Sequence, residues 1–492
     1  MIRYIIPFFL AASSFAASCE SLAQLKLPHT TVTTAELVPA GTFTPPSAKP
    51  IQNLPEFCRV AATLAPTSDS DIRIELWMPA SGWNSRFEGT GNGGFAGNIA
   101  WNALAGEVRR GFAVANTDMG MHPPAGSDAS AFTGHPEKWA DWGYRSTHEM
   151  TEAAKAFVAA YYNAPPRHSY FSGCSTGGEQ ALMEAQRFPD DYDGILGGAA
   201  ANNRTGVHTS ILWNYVVNQR DPADALPPAK LSLLASAVLA ACDAADGLKD
   251  GLIADPRQCH FDPATLACKG ADTDTCLTAA QVQTVRRIYA GPVNPRTHAQ
   301  IYPGVPPGSE LDWSRFVPAS GMPPYEAIFK WAMGPDWNWR TFDFDRNYAA
   351  MVSKLGSAVN ALNPDLGTFQ QHGHKLIVYH GWADWLVPPG EAINYREAVL
   401  ARSAAHATDQ FYRLFMIPGM AHCGGGPGLT SFSALDPLVK WVEQGIPPDS
   451  IVATGKPGGV VATRPICPYP QVARYRGSGP VTEAANFTCA DQ

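Results

Sequence analysis

The residues best suited to chemistry are Gly173-Cys174-Ser175-Thr176-Gly177, which fit the pattern G-x-S-x-G. Glycine and serine are common, so the pattern gains meaning only from its surroundings. A strand-like His168-Ser169-Tyr170-Phe171 precedes it, and residues 179–187 have helical composition. A serine between strand and helix sits in a sharp, strained turn where only small flanking residues avoid a clash. The helix directs its amide dipoles at the serine, and the Thr176 N–H is placed to bind an oxyanion. A Gly-rich turn that merely packs a helix on a sheet is the competing reading.

A serine hydroxyl attacks a carbonyl only if a base takes its proton and an acid orients that base. In an open α/β sheet those groups follow strand carboxyl ends, in the chain order Ser, Asp, His. Asp384 closes His380-Gly381-Trp382-Ala383-Asp384, just after a strand-like 376–379. His422 lies in Pro418-Gly419-Met420-Ala421-His422-Cys423, just after a strand ending at Ile417. Each alone is commonly a structural loop residue, but three correct types in the correct order point to acyl transfer. The second oxyanion donor is expected from the glycine-dense turn 89–97. A phosphate-binding loop there is disfavoured, because no Gly-Lys-Ser/Thr follows.

Cys174 precedes the serine and Cys423 follows the histidine. If Ser175 and His422 touch, a disulfide between the cysteines is sterically plausible. Closing a loop of about 250 residues, it would contribute up to roughly 5 kcal/mol in the chain-entropy model. It would also clamp nucleophile and base together. Two free buried cysteines are the alternative. A cysteine nucleophile is a weaker reading, since Ser175 holds the apex.

The elements that must position these groups alternate between strand and helix. Ile72, Ile74, Leu76 and Met78 alternate with positions read as polar or exposed, and 111–118 reads as a buried strand. Helical composition covers 147–161, and strand patterns return at 375–380 and 411–417. This alternation predicts a mostly parallel α/β sheet. Residues 19–70 read as irregular. Residues 203–368 carry helical pieces at 231–241 and 279–290 among Pro/Gly-rich loops with four cysteines, so they read as a lid inserted into a core of 19–202 and 369–492.

Composition narrows the setting. The chain has 492 residues, 45% hydrophobic and 16% charged, with a formal charge of -8. An acidic balance lacks the basic footprint of nucleic-acid binding. Ten cysteines in a chain long enough to build its own core suggest an oxidising compartment. Arg3, an apolar stretch over 4–15 and Ala16-Ala17-Ser18 have the layout of a secretory signal peptide covering 1–18. A lipid-anchored Cys19 is the rival, weakened by Ala16 where a lipobox has leucine. No later segment offers about 20 apolar residues, so no membrane span is expected.

An acidic loop stands apart from the triad. Cys242-Asp243-Ala244-Ala245-Asp246-Gly247-Leu248-Lys249-Asp250-Gly251-Leu252 puts three carboxylates within eight residues, beside turn-permitting glycines. Hard cations such as calcium take carboxylates and backbone carbonyls along a loop. The spacing is not that of an EF-hand, and a solvated acidic turn is the alternative.

Together these motifs, with Gly91-Asn92-Gly93-Gly94 and Arg464-Pro465-Ile466-Cys467-Pro468-Tyr469-Pro470, resemble the tannase and feruloyl esterase family from Cys19 to the carboxyl terminus. The resemblance implies an α/β-hydrolase core with a large lid. It makes Ser175 the nucleophile, His422 the base and Asp384 its orienting acid, with the Gly94 and Thr176 amides as the oxyanion hole. It implies a structural Ca2+ held by Asp243, Asp246 and Asp250 with the carbonyls of Leu248 and Leu252, and no organic cofactor. It pairs Cys19 with Cys58, Cys174 with Cys423, Cys242 with Cys259, Cys268 with Cys276 and Cys467 with Cys489. The chain departs from terephthalate-monoester-cleaving members, which have glutamate at the position of Thr176. Their carboxylate-gripping lid arginine has no clear equivalent here, where an aromatic run spans 329–342. Feruloyl or other hydroxycinnamoyl esters are therefore the expected substrates, with galloyl esters or terephthalate monoesters as alternatives. The intact set of Ser175, Asp384 and His422 makes a non-catalytic binding protein the remote alternative.

Overall fold

The computed structural model describes residues 18–46, 48–121, 132–318, 321–402 and 405–491. The predicted signal peptide therefore lies outside the described residues, apart from Ser18.

Nine strands form the central sheet: β1 (Thr30–Val38), β2 (Phe57–Leu64), β3 (Ile72–Pro79), β4 (Arg86–Thr90), β5 (Ala113–Thr117), β6 (His168–Cys174), β7 (Gly194–Gly198), β8 (Lys375–Gly381) and β9 (Tyr412–Ile417). Their spatial order is β1-β2-β3-β5-β4-β6-β7-β8-β9. The first three strands and β5 pair antiparallel, and every pairing from β5 through β4 to β9 is parallel. Parallel strands need both faces covered. Helices α1 (Trp101–Arg109), α2 (Ser146–Tyr162) and α3 (Thr176–Arg187) connect successive strands and provide that cover. The core under α2 and α3 is built from residues such as Phe157, Phe171, Leu182, Ile195 and Leu376, all buried. This is the expected α/β-hydrolase core.

The expectation that 19–70 is irregular is overturned, because β1 and β2 lie there. β1 is a half-exposed, threonine-rich edge strand whose burial does not alternate cleanly, so its period-two pattern is blurred. Between β7 and β8 the described residues make no strand of the main sheet. It instead forms α4 (Arg204–Gln219), α5 (Pro228–Cys242), α6 (Ala279–Ala290), α7 (Ala327–Met333) and α8 (Arg346–Val359) with short 3-10 turns. The aromatic run is core of this insertion. Phe329, Trp331, Trp339 and Phe342 are buried beside Phe95, Phe132 and Trp142.

One stretch, Pro222–Asp246, has the length and hydropathy of a membrane-crossing helix. It carries Asp224, Lys230, Asp243 and Asp246, and Leu231, Leu234 and Val238 pack into the insertion's own core. That placement fits an ordinary packed helix.

All ten cysteines are paired, in the five combinations that the resemblance implies. Cys19 is bonded to Cys58, which ties the start of the described chain to β2.

Candidate active site

Ser175 sits between β6 and α3 at φ 65°, ψ −114°. A non-glycine residue rarely adopts a positive φ, and the cost is of order 1–3 kcal/mol. The surrounding backbone enforces it. The Ser175 N–H donates to the Gly198 carbonyl at 2.9 Å, and the Ser175 carbonyl accepts from the Ala201 N–H at 3.2 Å. The flanking glycines are sterically required: a Cβ on Gly173 would lie 2.6 Å from the Gly177 Cα.

The glycine-dense turn after β4 is locked against this elbow. The Asn92 N–H donates to Gln180 Oε1 at 2.9 Å. The Asn92 carbonyl accepts from the Gly177 N–H at 2.8 Å, and its side-chain amide donates to the Thr117 carbonyl at 2.8 Å. Gly91 must be glycine, since a Cβ there would lie 2.5 Å from the Gly177 Cα. Thr176 Oγ1 donates to the Gly94 carbonyl at 2.6 Å, so the two predicted oxyanion residues are bonded to each other. Among the described residues, neither the Gly94 nor the Thr176 N–H has a hydrogen-bond partner. Two such free donors beside a serine are what a developing oxyanion needs.

The three predicted triad residues come together although they lie far apart in sequence. His422 Nε2 is 2.8 Å from Ser175 Oγ, and His422 Nδ1 is 2.8 Å from Asp384 Oδ2. Gly381 lets their two loops touch, because a Cβ there would lie 2.2 Å from the Met420 carbonyl oxygen. The Ala383 N–H then donates to that carbonyl at 2.9 Å. The Cys174–Cys423 disulfide, with its Cα atoms 5.9 Å apart, fastens the serine's chain neighbour to the histidine's.

Asp384 is fully buried, and its Oδ1 accepts the N–H groups of Leu386 and Val387, each at 2.9 Å. Burial alone would raise its pKa, but His422 and His380 hold the carboxyl well below the usual carboxylate range. It therefore stays ionised wherever an imidazole titrates, so the acidic limb of the activity profile should not report it.

His380 is a participant that sequence reasoning passed over as part of a strand. It is fully buried, with Nε2 2.7 Å from the Val387 carbonyl and 3.2 Å from Asp384 Oδ2. A carbonyl only accepts, so Nε2 carries a proton and directs a second donor at the carboxylate. The available signal was a histidine four residues before the acid, across a glycine.

A second buried charge cluster lies behind the elbow. Glu179, one turn along α3, is 3.7 Å from Arg204 at the start of α4, and both are buried. Burial pushes Glu179 up to about 8 against the pull of Arg204. Arg204 also lies over the Trp142 ring, whose N–H donates to the Phe95 carbonyl beside Gly94.

The acidic loop lies outside the triad. Asp243 Oδ1 accepts the N–H groups of Asp250, Gly251 and Leu252, and Asp250 Oδ2 pairs with Arg464 at 2.7 Å. Asp246 is raised by burial and by the neighbouring charge of Asp250. The loop's donors are carboxylate and backbone oxygens, the chemistry a hard divalent cation takes, although among the described residues its three carboxylates do not converge within 4.8 Å as a group.

Comparison with known proteins gives a consistent result. The family model described as tannase and feruloyl esterase matches residues 58–323 and 325–490. The chain is 41% identical to an uncharacterized esterase of Xanthomonas campestris, over 99% of this chain and 93% of that one. It is 35% identical to the mono(2-hydroxyethyl) terephthalate hydrolase of Piscinibacter sakaiensis, over 89% and 85% of the two chains. The crystal structure of feruloyl esterase B from Aspergillus oryzae superposes with a TM-score of 0.88 at 29% identity, over 96% of this chain and 99% of that one. The chain belongs to the tannase and feruloyl esterase family and is a carboxylic ester hydrolase.

Proposed function

We propose that this protein is a serine esterase of phenolic-acid esters, with feruloyl and other hydroxycinnamoyl esters as its main substrates. The observation that carries this reading is the bonded series Ser175, His422 and Asp384 at a strained elbow. Ser175 Oγ attacks the ester carbonyl while His422 takes its proton. The Gly94 and Thr176 amides stabilise the oxyanion, and Asp384 stabilises the imidazolium. His422 then protonates the leaving alcohol, leaving an acyl group on Ser175. Water, activated by the same histidine, releases the acid. Residues 203–368 act as the lid over the two core segments, 19–202 and 369–492.

Thr176 supports this substrate class over terephthalate monoesters because it departs from the glutamate that terephthalate-monoester-cleaving members carry there, and its hydroxyl is committed to the Gly94 carbonyl. Comparing kcat/KM for methyl ferulate, methyl gallate and a terephthalate monoester tests the preference. The ferulate is expected to lead by at least tenfold. A leading gallate or terephthalate would replace the substrate assignment and leave the chemistry standing.

We also propose that Asp243, Asp246 and Asp250, with the carbonyls of Leu248 and Leu252, hold a structural Ca2+. The ion would neutralise the loop and fix it beside the Cys242–Cys259 disulfide. Prolonged chelation should lower Tm by several degrees, and calcium should restore it. An unchanged Tm in a chelated sample shown by elemental analysis to be calcium-free would remove the ion from the account.

The disulfides and the signal-like amino terminus support a secreted or periplasmic location, where such pairs persist. The partner is a small aromatic ester.

A further inference from the structure

A second cluster of metal-capable side chains lies at the opposite end of the sheet from Ser175. The catalytic loops follow the carboxyl ends of β6, β8 and β9. The segments that lead into β7 and β8, at their amino ends, carry Asp190, His372 and His374. One ligand atom from each lies within 4.8 Å of the other two.

The chain builds this grouping locally. β7 and β8 are neighbours in parallel register, with Lys375 opposite Gly194. The segments entering them are therefore side by side. Gly373, at φ 83°, turns the chain between the two histidines, whose ring centroids are 5.7 Å apart. His372 Nδ1 is 2.7 Å from Asp190 Oδ1. Two ligands bonded tetrahedrally to one zinc at roughly 2.0–2.1 Å stand about 3.3 Å apart, so seating the ion requires His372 and Asp190 to part slightly and His374 to rotate inward from within 4.8 Å. His374 Nδ1 faces Asp193 Oδ1 at 4.0 Å, too far for a hydrogen bond, so the ring is free to turn a nitrogen toward an ion. Asp193 is itself fixed, since its Oδ2 accepts the Ser169 N–H at 2.7 Å and its carbonyl accepts the Lys375 N–H at 2.9 Å. A carboxylate held behind a histidine can become the hydrogen-bonded outer support of a metal ligand once the ring turns to the ion.

We propose that Asp190, His372 and His374 form a binding site for a divalent transition metal of the zinc type. Two imidazoles and one carboxylate suit Zn2+, Ni2+ or Cu2+ and disfavour Ca2+ and Mg2+, which take oxygen ligands. The side chains are solvent-accessible, at 79% for Asp190, 39% for His372 and 15% for His374, so an ion has an open path and room for a water ligand. Bound there, it clamps the entries of two adjacent core strands. The site is separate from the acidic loop and from the triad. The other grouping of this kind, Cys268, Asp272 and Cys276, is unsuitable because its cysteines are bonded to each other.

The test is calorimetric titration of the full chain with Zn2+ in saturating Ca2+, which occupies any oxygen-ligand site. Wild type should bind one Zn2+ per chain and melt at a higher temperature with zinc than without. His372→Ala, at the surface, and His374→Ala, partly buried, should each weaken that binding at least tenfold and abolish the melting shift, while ester hydrolysis in metal-free buffer stays unchanged. His422→Ala should keep the site. Zinc binding that survives both histidine substitutions, that is lost in His422→Ala, or that is absent from wild type would overturn the proposal.

Discussion

Ser175→Ala is expected to lower kcat for a feruloyl ester by about 10^5–10^6-fold while the protein remains folded. The size follows from what the hydroxyl does. Without it no acyl-enzyme forms, and only the oxyanion donors and substrate binding remain to assist direct attack by water. The fold should survive because serine and alanine have the same backbone requirement at φ 65°, so the strain of the elbow is unchanged. The deleted hydroxyl makes one hydrogen bond, to His422, whose ring is still held by Asp384 and the Cys174–Cys423 bridge. Losing such a bond costs about 1 kcal/mol. Steady-state hydrolysis together with circular dichroism and a melting curve checks both halves. Turnover within tenfold of wild type would remove Ser175 from the mechanism.

Asp384→Asn should lower kcat by about 10^4-fold, as expected when the orienting acid of such a triad becomes an amide. The bonding around the carboxylate shows why. Its Oδ1 is held by two backbone N–H groups, from Leu386 and Val387, so the asparagine carbonyl must take that side. The new NH2 then points at His422 Nδ1 and at the His380 Nε2–H. His422 can accept from that amide only by carrying its proton on Nε2, the atom that must accept from Ser175. The base is therefore held in the wrong tautomer, and His380 meets a donor where it had an acceptor. Substrate binding is untouched, so kcat should fall far more than KM rises. A loss below tenfold would mean that His422 keeps its orientation without the carboxylate.

The site was more legible in the sequence than the sheet that carries it. Ser175, Asp384 and His422 stood out because each chemical role accepts few residue types and each sits just past a strand. β7 was hidden by its composition, Gly-Ile-Leu-Gly-Gly, which reads as a turn. Its last glycine is there because the Tyr379 ring of the next strand fills the space, and a Cβ would approach that ring to 2.2 Å. Only the neighbouring strand makes it a strand. β4 is five residues long, starts with a charge and ends in the glycine turn, so its signal was absorbed by that turn. The disulfide pairing had a similar limit. Adjacency to the triad suggested Cys174 with Cys423, whereas the other four pairs rested on family resemblance until the fold brought them together. The Glu179–Arg204 pair had no sequence signal at all, since its members come from different helices on either side of β7.

The central claim is that Ser175 is an activated nucleophile, not a structural turn residue. Fluorophosphonate labelling followed by peptide mass spectrometry tests it most directly, because only a serine deprotonated by a base attacks the phosphorus. The account predicts one adduct per chain, on Ser175, forming in parallel with loss of hydrolysis and absent from the His422→Ala protein. An active protein that stays unlabelled at Ser175, or that carries its adduct on another residue, would contradict it.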